Sequence, residues 1–239
     1  MGILVETLAK GAGEIGVELT GGQLKQFEKY YYLLVKTNKK LNLTSIVEER
    51  EVALKHFVDS LTCLKAVSFE EGMSLLDVGT GAGFPGLPLK ICRPESRVTL
   101  VESLEKKVSF LKEVILELGL EKIVVLRARA EELGRDKSHR EKYDRVVARA
   151  VAELTVLAEY CLPVVKVGGY FLAMKGPKVD EEMAAARNAV EILGGEVEKN
   201  INFKLPVLGD ERNLVLVKKV RTTPEKYPRR PGAPLKKPL

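Results

Sequence analysis

The spacing of apolar and polar positions changes near residue 70, and the two spacings predict different kinds of structure. Before that point apolar side chains recur every three or four residues, as in Leu24, Phe27, Tyr31 and Leu34, which is typical of helices with one buried face. From Leu75 onward, short apolar runs alternate with segments of helical spacing. We therefore predict an N-terminal helical part followed by a domain of alternating strands and helices.

Two helices are predicted before residue 70. Thr20 and Gln23 have the spacing of a capping box, and the aromatic residues that follow are expected to be buried. Ala53, Phe57 and Leu61 mark a second helix.

Seven strands are predicted after residue 70. They cover residues 74–78, 97–102, 122–127, 143–149, 168–174, 195–203 and 212–219. Helices are expected at 151–162 and 178–193, and a third is expected to be capped by Ser103 and ended by Gly119. This alternation predicts a doubly wound, mostly parallel α/β sheet, with the last two strands as an antiparallel hairpin.

A glycine-rich turn follows the first strand. Three glycines, Gly79, Gly81 and Gly83, are spaced two apart, and Pro85 comes at a position that the first turn of a helix tolerates. Such a strand–turn–helix unit lets bare backbone approach a ligand at the carboxyl end of a parallel strand. The next strand ends at Glu102, where a carboxylate can accept hydrogen bonds from a ribose. An adenosine-type cofactor is the expected ligand.

The residues of this turn favour one cofactor over another. The spacing of Gly81, Gly83 and Gly86 matches a dinucleotide fingerprint, but Asp77 inside the strand and the bulk of Phe84 argue against a pyrophosphate site. The pattern instead resembles the first motif of the class I methyltransferases, which use S-adenosylmethionine. That resemblance implies that Gly79 and Gly81 approach the methionine part of the cofactor and that Glu102 binds its ribose.

Further candidate site residues follow the later strands, where a doubly wound sheet collects its ligands. These positions are Ser103 and Leu104 after the second strand, Ala130 and Glu131 after the third, Arg149 after the fourth and Lys175 after the fifth. We expect Ala130 and Glu131 to frame an adenine.

Composition limits the alternatives. With 239 residues, 45% hydrophobic and 30% charged, the chain is expected to form one α/β domain with a modest extension. No apolar run is long enough for a membrane span, and charges interrupt the N-terminus, so a cytoplasmic location and no membrane partner are expected. Cys63, Cys92 and Cys161 suit neither a disulfide framework nor a metal site, and no metal is expected.

The net charge of +6 is concentrated near the C-terminus. Residues 218–239 hold eight basic side chains, five of the eleven prolines and one acid, Glu225. This segment is interpreted either as a disordered, solubilising end or as an extended arm that binds phosphates. The predicted organisation is a helical cap (1–70), a cofactor-binding domain (71–220) and a basic, proline-rich arm (221–239).

Several motifs together resemble one family over nearly the whole chain. They are Asn38-Lys39-Lys40-Leu41-Asn42-Leu43-Thr44-Ser45, His56-Phe57-Val58-Asp59-Ser60, the run from Asp77 to Gly86, Ala148-Arg149-Ala150, and the segment from Arg229 to Leu239. Together they are similar to the RsmG (GidB) family of bacterial small-subunit ribosomal RNA guanine-N7 methyltransferases. This resemblance implies S-adenosylmethionine as cofactor and small-subunit (16S) ribosomal RNA, or the 30S particle, as partner.

Carried over to this sequence, the resemblance implies two sets of contacts. The cofactor contacts are Gly79, Gly81, Phe84, Glu102, Ser103, Leu104, Ala130, Glu131 and Arg149. The candidate RNA contacts are Lys39, Asn42, His56, Lys175, Arg229, Arg230, Lys236 and Lys237. No catalytic base is expected, because guanine N7 already presents its lone pair. Arg149 is expected to bind the cofactor's carboxylate or an RNA phosphate.

Three questions stay open at this point. A class I methyltransferase of another RNA or of a small molecule, or an RNA-binding protein without activity, would share many of these features. His56 and Asp59 are expected to form a local hydrogen-bonded pair, and contact with RNA or with a pocket at the edge of the cap is the alternative, which can coexist with the pair. Lys39 and Asn42 either cap the following loop or contact RNA, and a monomer is the expected state.

Overall fold

The computed structural model describes residues 2–239, and its centre is a seven-stranded sheet. The strands are β1 (Ser74–Val78), β2 (Arg97–Glu102), β3 (Ile123–Arg127), β4 (Tyr143–Arg149), β5 (Val165–Lys175), β6 (Gly195–Lys204) and β7 (Glu211–Lys219). Their order is β3-β2-β1-β4-β5-β7-β6. The first five strands are parallel, whereas β7 is antiparallel to both of its neighbours. The predicted doubly wound α/β sheet with a terminal hairpin is confirmed.

The strand bounds agree with the prediction to within three residues. The largest difference is in β5, which begins at Val165 and not at residue 168. Its register against β4 shifts after the pairing of Tyr143 with Val165, and Gly168 has a positive φ of 87°. The irregular start of β5, at a glycine pair, explains why its sequence signals only the later part.

Helices cover both faces of this sheet. They are Ile3–Glu14, Gly21–Leu41, Glu49–Glu51 continuing into the π-helical Val52–Val58 and then Asp59–Leu61, Cys63–Ala66, Gly86–Cys92, Glu105–Glu117, Ala130–Arg135, Leu154–Cys161, Val179–Ile192 and Ala233–Lys236. The capping box of Thr20 and Gln23 is present. Ser103 was expected to cap a helix, and this is wrong. The helix begins after Leu104, and the Ser103 hydroxyl donates to Glu102 instead.

Successive side chains of β1 point to opposite faces of the sheet and are buried in two different hydrophobic cores. Leu75 packs with the N-terminal helices, and Leu76 packs with the helices Leu154–Cys161 and Val179–Ile192 on the other face. The cap therefore shares one hydrophobic core with the sheet. All three cysteines are free and buried.

The C-terminal segment differs most from its prediction. Residues 221–239 pack against the body of the protein, and Tyr227 is buried in the core beneath the second face of the sheet. The Arg140 guanidinium donates to the backbone oxygens of Thr223 and Tyr227, and Arg135 donates to that of Pro228. In an undocked segment these backbone carbonyl groups would have to form their hydrogen bonds with water. The segment is therefore neither disordered nor an extended arm.

None of the helices between residues 2 and 239 is both long and apolar enough to cross a membrane.

Candidate functional site

The glycine turn after β1 has a conformation that only glycine accepts at two of its positions. The Gly79 amide donates to the backbone oxygen of Val101 over 3.0 Å, with φ at +69°. A Cβ at Gly79 would lie 2.7 Å from the Val151 side chain. At Gly83, where φ is +106°, a Cβ would lie 2.5 Å from the Tyr30 hydroxyl. The backbone therefore comes closer to its neighbours than a side chain would allow.

Asp77 supports this turn from below. Its Oδ2 accepts hydrogen bonds from the Thr80 hydroxyl (2.6 Å) and the Gly86 amide (2.7 Å). Its Oδ1 is buried and, among residues 2–239, has no hydrogen-bond partner. Burial raises the pKa of Asp77 to about 6, although the bonds from Thr80 and Gly86 act in the opposite direction. A buried acceptor next to the turn is thus left for a ligand or water.

Aromatic side chains of the cap clamp the same turn. The Tyr30 hydroxyl donates to the backbone oxygen of Ala82 over 2.5 Å. The Phe84 ring stacks on His56 with 4.5 Å between centroids, and the Arg149 guanidinium lies 5.0 Å from the ring centre. Phe84 is buried in this cluster and does not line the cavity described next. The Phe84 side chain therefore shapes the turn, and the contact of Phe84 with the cofactor stays a prediction.

A first cavity, of about 290 Å³, opens at the carboxyl ends of β1, β2 and β3. Five of the predicted cofactor residues line it: Gly79, Glu102, Ser103, Ala130 and Glu131. Eight residues that the sequence did not single out complete the lining: Val78, Val101, Ala128, Arg129, Val151, Tyr160, Gly232 and Leu235. Gly81 and Leu104, both predicted to contact the cofactor, are not in this lining. The cavity, called the β1–β3 cavity below, combines an apolar wall with two carboxylates.

Glu102 is held ready to accept hydrogen bonds in this cavity. Its Oε1 accepts from the Leu104 amide over 2.9 Å and from the Ser103 hydroxyl over 3.4 Å. Its Oε2 lies 3.9 Å from Lys107 Nζ. Because the protein's own hydrogen bonds fix Oε1, the carboxylate has a defined orientation and Oε2 can accept from a ligand hydroxyl.

A second cavity, of about 450 Å³, opens at the carboxyl ends of β4 and β5. It brings together three residues that the sequence had proposed separately, His56, Arg149 and Lys175. Its other lining residues are Lys55, Asp59, Ala150, Met174, Gly176, Glu182 and Arg212. Because Ala150 lines this β4–β5 cavity and Val151 lines the β1–β3 cavity, the two are neighbours along one edge of the sheet.

Asp59 joins two arginines in the β4–β5 cavity. Its Oδ2 is 2.9 Å from Arg149 Nη1, and its Oδ1 is 3.0 Å from Arg212 Nε. The expected local pair of His56 and Asp59 is wrong, because the Arg149 guanidinium lies between them and also approaches His56 Nδ1 at 3.4 Å. Three cations and one buried carboxylate therefore share this corner, Lys55 included.

His56 is a neutral group in this cavity. Burial, assisted by the charge of Arg149, lowers the pKa of His56 to about 3. Its Nε2 lies 2.9 Å from the Thr44 hydroxyl. At neutral pH the ring is therefore a hydrogen-bonding group and carries no charge.

Arg212 is the main residue that sequence reasoning missed here. It is the second residue of β7, which is antiparallel, so its neighbour Asn213 pairs with Lys175 at the end of β5. The first residues of an antiparallel strand lie at the same sheet edge as the last residues of parallel ones. The predicted antiparallel hairpin contains this signal, because it places the start of β7 beside the ends of the parallel strands. Lys175 is itself anchored, since its Nζ contacts Glu182 Oε2 at 2.5 Å and donates to Ala152.

The remaining RNA candidates fall into two groups. Lys39, Asn42, Arg230, Lys236 and Lys237 are exposed. Asn42 ends the helix Gly21–Leu41 in a left-handed conformation, and Asn38, not Asn42, makes the paired bonds to Thr44. Arg229 differs from the others because its guanidinium is bonded to the buried Glu159. The charge of Arg229 is therefore already paired within the protein.

Within residues 2–239, no cluster of three or more His, Cys, Asp or Glu side chains has an arrangement that could hold a metal ion.

Comparison with known proteins points to one family. The model of the family described as "rRNA small subunit methyltransferase G" (GidB) matches residues 23–215. A ribosomal RNA small subunit methyltransferase G from Pelotomaculum thermopropionicum is 63% identical over the full length of both chains. The proteins of the same name from Desulforamulus reducens and Bacillus subtilis are 53% and 48% identical, over 100% and 98% of both chains.

Solved structures agree on the fold. A SAM-dependent methyltransferase from Aquifex aeolicus has a TM-score of 0.54 at 23% identity, covering 78% of this chain and 98% of that one. M. jannaschii TYW2 in complex with AdoMet has a TM-score of 0.52 at 17% identity, covering 68% and 77%. The sheet is thus the fold of class I methyltransferases.

Proposed function

The chain belongs to the rRNA small subunit methyltransferase G family, and from this premise we propose that it methylates N7 of a guanine in small-subunit ribosomal RNA with S-adenosylmethionine. The observation that carries the proposal is the pair of cavities at one sheet edge, one suited to an adenosyl cofactor and the other to a nucleotide. Because the adjacent residues Ala150 and Val151 line one cavity each, the two cavities are close enough for a methyl donor and its acceptor to meet.

The residues of the β1–β3 cavity fit S-adenosylmethionine. Glu102 offers Oε2 to the ribose hydroxyls, and the apolar Val101 and Ala128 suit a purine ring. The unpartnered Oδ1 of the buried Asp77 below the turn, and the bare backbone of Gly79 in the cavity lining, suit the cationic methionine end. Phosphates would meet two carboxylates in this cavity, at Glu102 and Glu131, which argues against a dinucleotide.

The chemistry asks the protein to position groups and not to remove a proton. When bound, S-adenosylmethionine supplies an electrophilic methyl group, and guanine N7 has an available lone pair. Correct orientation alone can contribute ~7–11 kcal/mol to lowering the barrier. His56, whose pKa is about 3, is a poor general base at neutral pH, which supports a reaction without one.

The β4–β5 cavity has the charge expected for a nucleotide. Four cationic side chains line it, Lys55, Arg149, Lys175 and Arg212, against the carboxylates of Asp59 and Glu182. Arginines held in fixed orientation suit phosphate and guanine oxygens. Because N7 is hard to reach in the deep groove of A-form RNA, we propose that the guanine enters this cavity from a loop or as a flipped base.

Exposed cations outside the cavities supply the proposed contacts to the rest of the RNA. These cations are Lys39, Arg230, Lys236 and Lys237. The exposed Asn42, three residues after Lys39, is proposed to contact the RNA as well. Such contacts bind the phosphate backbone and make affinity fall as salt rises. The partner would be the ribosomal RNA itself or the small-subunit particle.

The experiment combines the purified protein, methyl-labelled S-adenosylmethionine and small-subunit particles from cells that lack this gene. Fragment mapping by mass spectrometry should find one labelled guanine whose methyl group is on N7. Label on another base, another guanine atom or only on protein would contradict the proposal. The naked RNA, tested alongside, shows which form is the substrate.

An Arg212→Gln variant tests the β4–β5 cavity in the same assay. Loss of this guanidinium removes one of the two ion pairs of Asp59. We expect kcat/KM to fall tenfold or more, because a small displacement of a reacting group has an effect of this size. The exposed Arg187→Gln is the matched control, because it makes the same change at a position that lines neither of the two cavities. Equal activity of the two variants would remove Arg212 from the site.

A further inference from the structure

The C-terminal segment reaches the β1–β3 cavity. After Pro228 the chain runs past the helix Leu154–Cys161 and enters the short helix Ala233–Lys236. Two of its residues, Gly232 and Leu235, line the cavity together with residues from the ends of β1, β2 and β3. The wall on this side is thus built by a segment more than 90 residues away along the chain from the end of β3.

An ion pair holds the segment in place. Glu159 accepts from the Arg229 backbone amide over 2.7 Å, and its two oxygens accept from Arg229 Nε and Nη2 at 2.9 and 2.5 Å. Only 1% of the Glu159 surface is exposed, and the next residue, Tyr160, lines the cavity. Because several hydrogen bonds converge on one buried carboxylate, this contact fixes both the position and the direction of the chain.

A second contact joins the segment directly to the cavity wall. The Gly232 amide donates to Glu131 Oε1 over 2.9 Å. Gly232 has a φ of +80°, a conformation that side chains rarely accept, and it precedes the helix that carries Leu235. Glu131 is 5% exposed, whereas Leu235 is 60% exposed, so a large apolar side chain stands at the mouth of the cavity.

We propose that residues 229–235 are part of the cofactor site and that Leu235 and the Gly232 backbone pack against the adenine end of S-adenosylmethionine. This rests on the proposed function. If the turn at Gly79 takes the methionine part and Glu102 the ribose, the purine extends toward β3, where Ala130 and Glu131 lie. Glu131 is the residue that Gly232 contacts, so the segment closes the site on the purine side.

Two consequences distinguish this role from a purely structural one. A bound purine would cover Leu235, so removal of its side chain should weaken binding of any ligand that keeps the purine. A ligand that packs on the segment must also stabilise its docked state, because binding and docking are linked. Amide exchange of residues 229–237 should therefore slow when the ligand is added.

Isothermal titration with S-adenosylhomocysteine and with methylthioadenosine tests the first consequence. For Leu235→Ala we expect the Kd of both ligands to rise about fivefold, as when roughly half of a leucine contact is lost. The control is Leu116→Ala, which shortens another exposed leucine, far from the cavity, and should leave both Kd values unchanged. Thermal unfolding without ligand shows that each variant is folded.

Hydrogen exchange of the wild-type protein tests the second consequence. Protection of residues 229–237 should increase with S-adenosylhomocysteine, and Glu159→Gln, which weakens the pair with Arg229, should reduce that protection. Unchanged Kd values for Leu235→Ala, or exchange that the ligand does not alter, would overturn the inference. A wild-type protein that binds neither ligand would instead contradict the proposed function.

Discussion

Substitution of Asp77 by asparagine should raise the free energy of unfolding and weaken the binding of the ligand. The carboxylate is fully buried below the glycine turn, with one oxygen bonded to Thr80 and Gly86 and the other without a partner. Asparagine has nearly the same shape, and its oxygen can accept the same two hydrogen bonds. The substitution therefore removes the buried charge and keeps the turn.

The size of the effect follows from the pKa of Asp77, which burial raises from 3.8 to about 6. Between these two values the folded protein keeps a proton that the unfolded chain has lost. The free energy of unfolding therefore falls as pH rises through this range, by about 3 kcal/mol in total. Asparagine does not titrate, so Asp77→Asn should match the wild type near pH 4 and exceed its stability by about 3 kcal/mol above pH 7.

Urea unfolding followed by circular dichroism, repeated from pH 4 to pH 8, measures this difference. Subtracting the wild-type curve from that of the variant cancels the other titrating groups, which both proteins share. The same variant should bind S-adenosylmethionine more weakly, because it lacks the negative charge beside the turn. A difference in stability that does not change with pH would refute the reasoning, since it would mean that Asp77 titrates normally.

Two further predictions concern the cap and the C-terminal segment. Tyr30→Phe leaves the Ala82 carbonyl without its donor and should lower the free energy of unfolding by about 1–2 kcal/mol in urea titrations, whereas Tyr32→Phe, on an exposed ring, should change it little. A joint Lys236→Ala and Lys237→Ala variant should reduce the slope of log affinity for small-subunit RNA against log salt by about 1–2, measured by filter binding. An unchanged slope would mean that these lysines do not contact phosphates.

Much of the fold could be predicted because its signals are local. Apolar runs, glycine breaks and capping residues lie within a few positions of the elements that they define, and all seven strands were found. The spacing of the glycines and the position of Glu102 likewise predict the β1–β3 cavity, because a strand and the turn after it are continuous in sequence.

The features of the site that the sequence did not predict come from contacts between distant segments of the chain. The Phe84 ring packs against residues of the cap, 28 positions away at His56. Arg229 looked like a free cation, but a glutamate 70 positions earlier neutralises it. Neither partner is visible from spacing or composition, because pairing across the fold depends on how helices dock on the sheet.

The clamp that Tyr30 and His56 place on the glycine turn has a consequence for how this protein can be divided. A fragment cut at residue 70 would retain every letter of the nucleotide-binding motif but lose the aromatic partners that give Phe84 its place. The conformation of the glycine turn thus depends on both the cap and the sheet. The sheet domain expressed alone would keep the motif in its sequence but lose the turn conformation that binds the ligand.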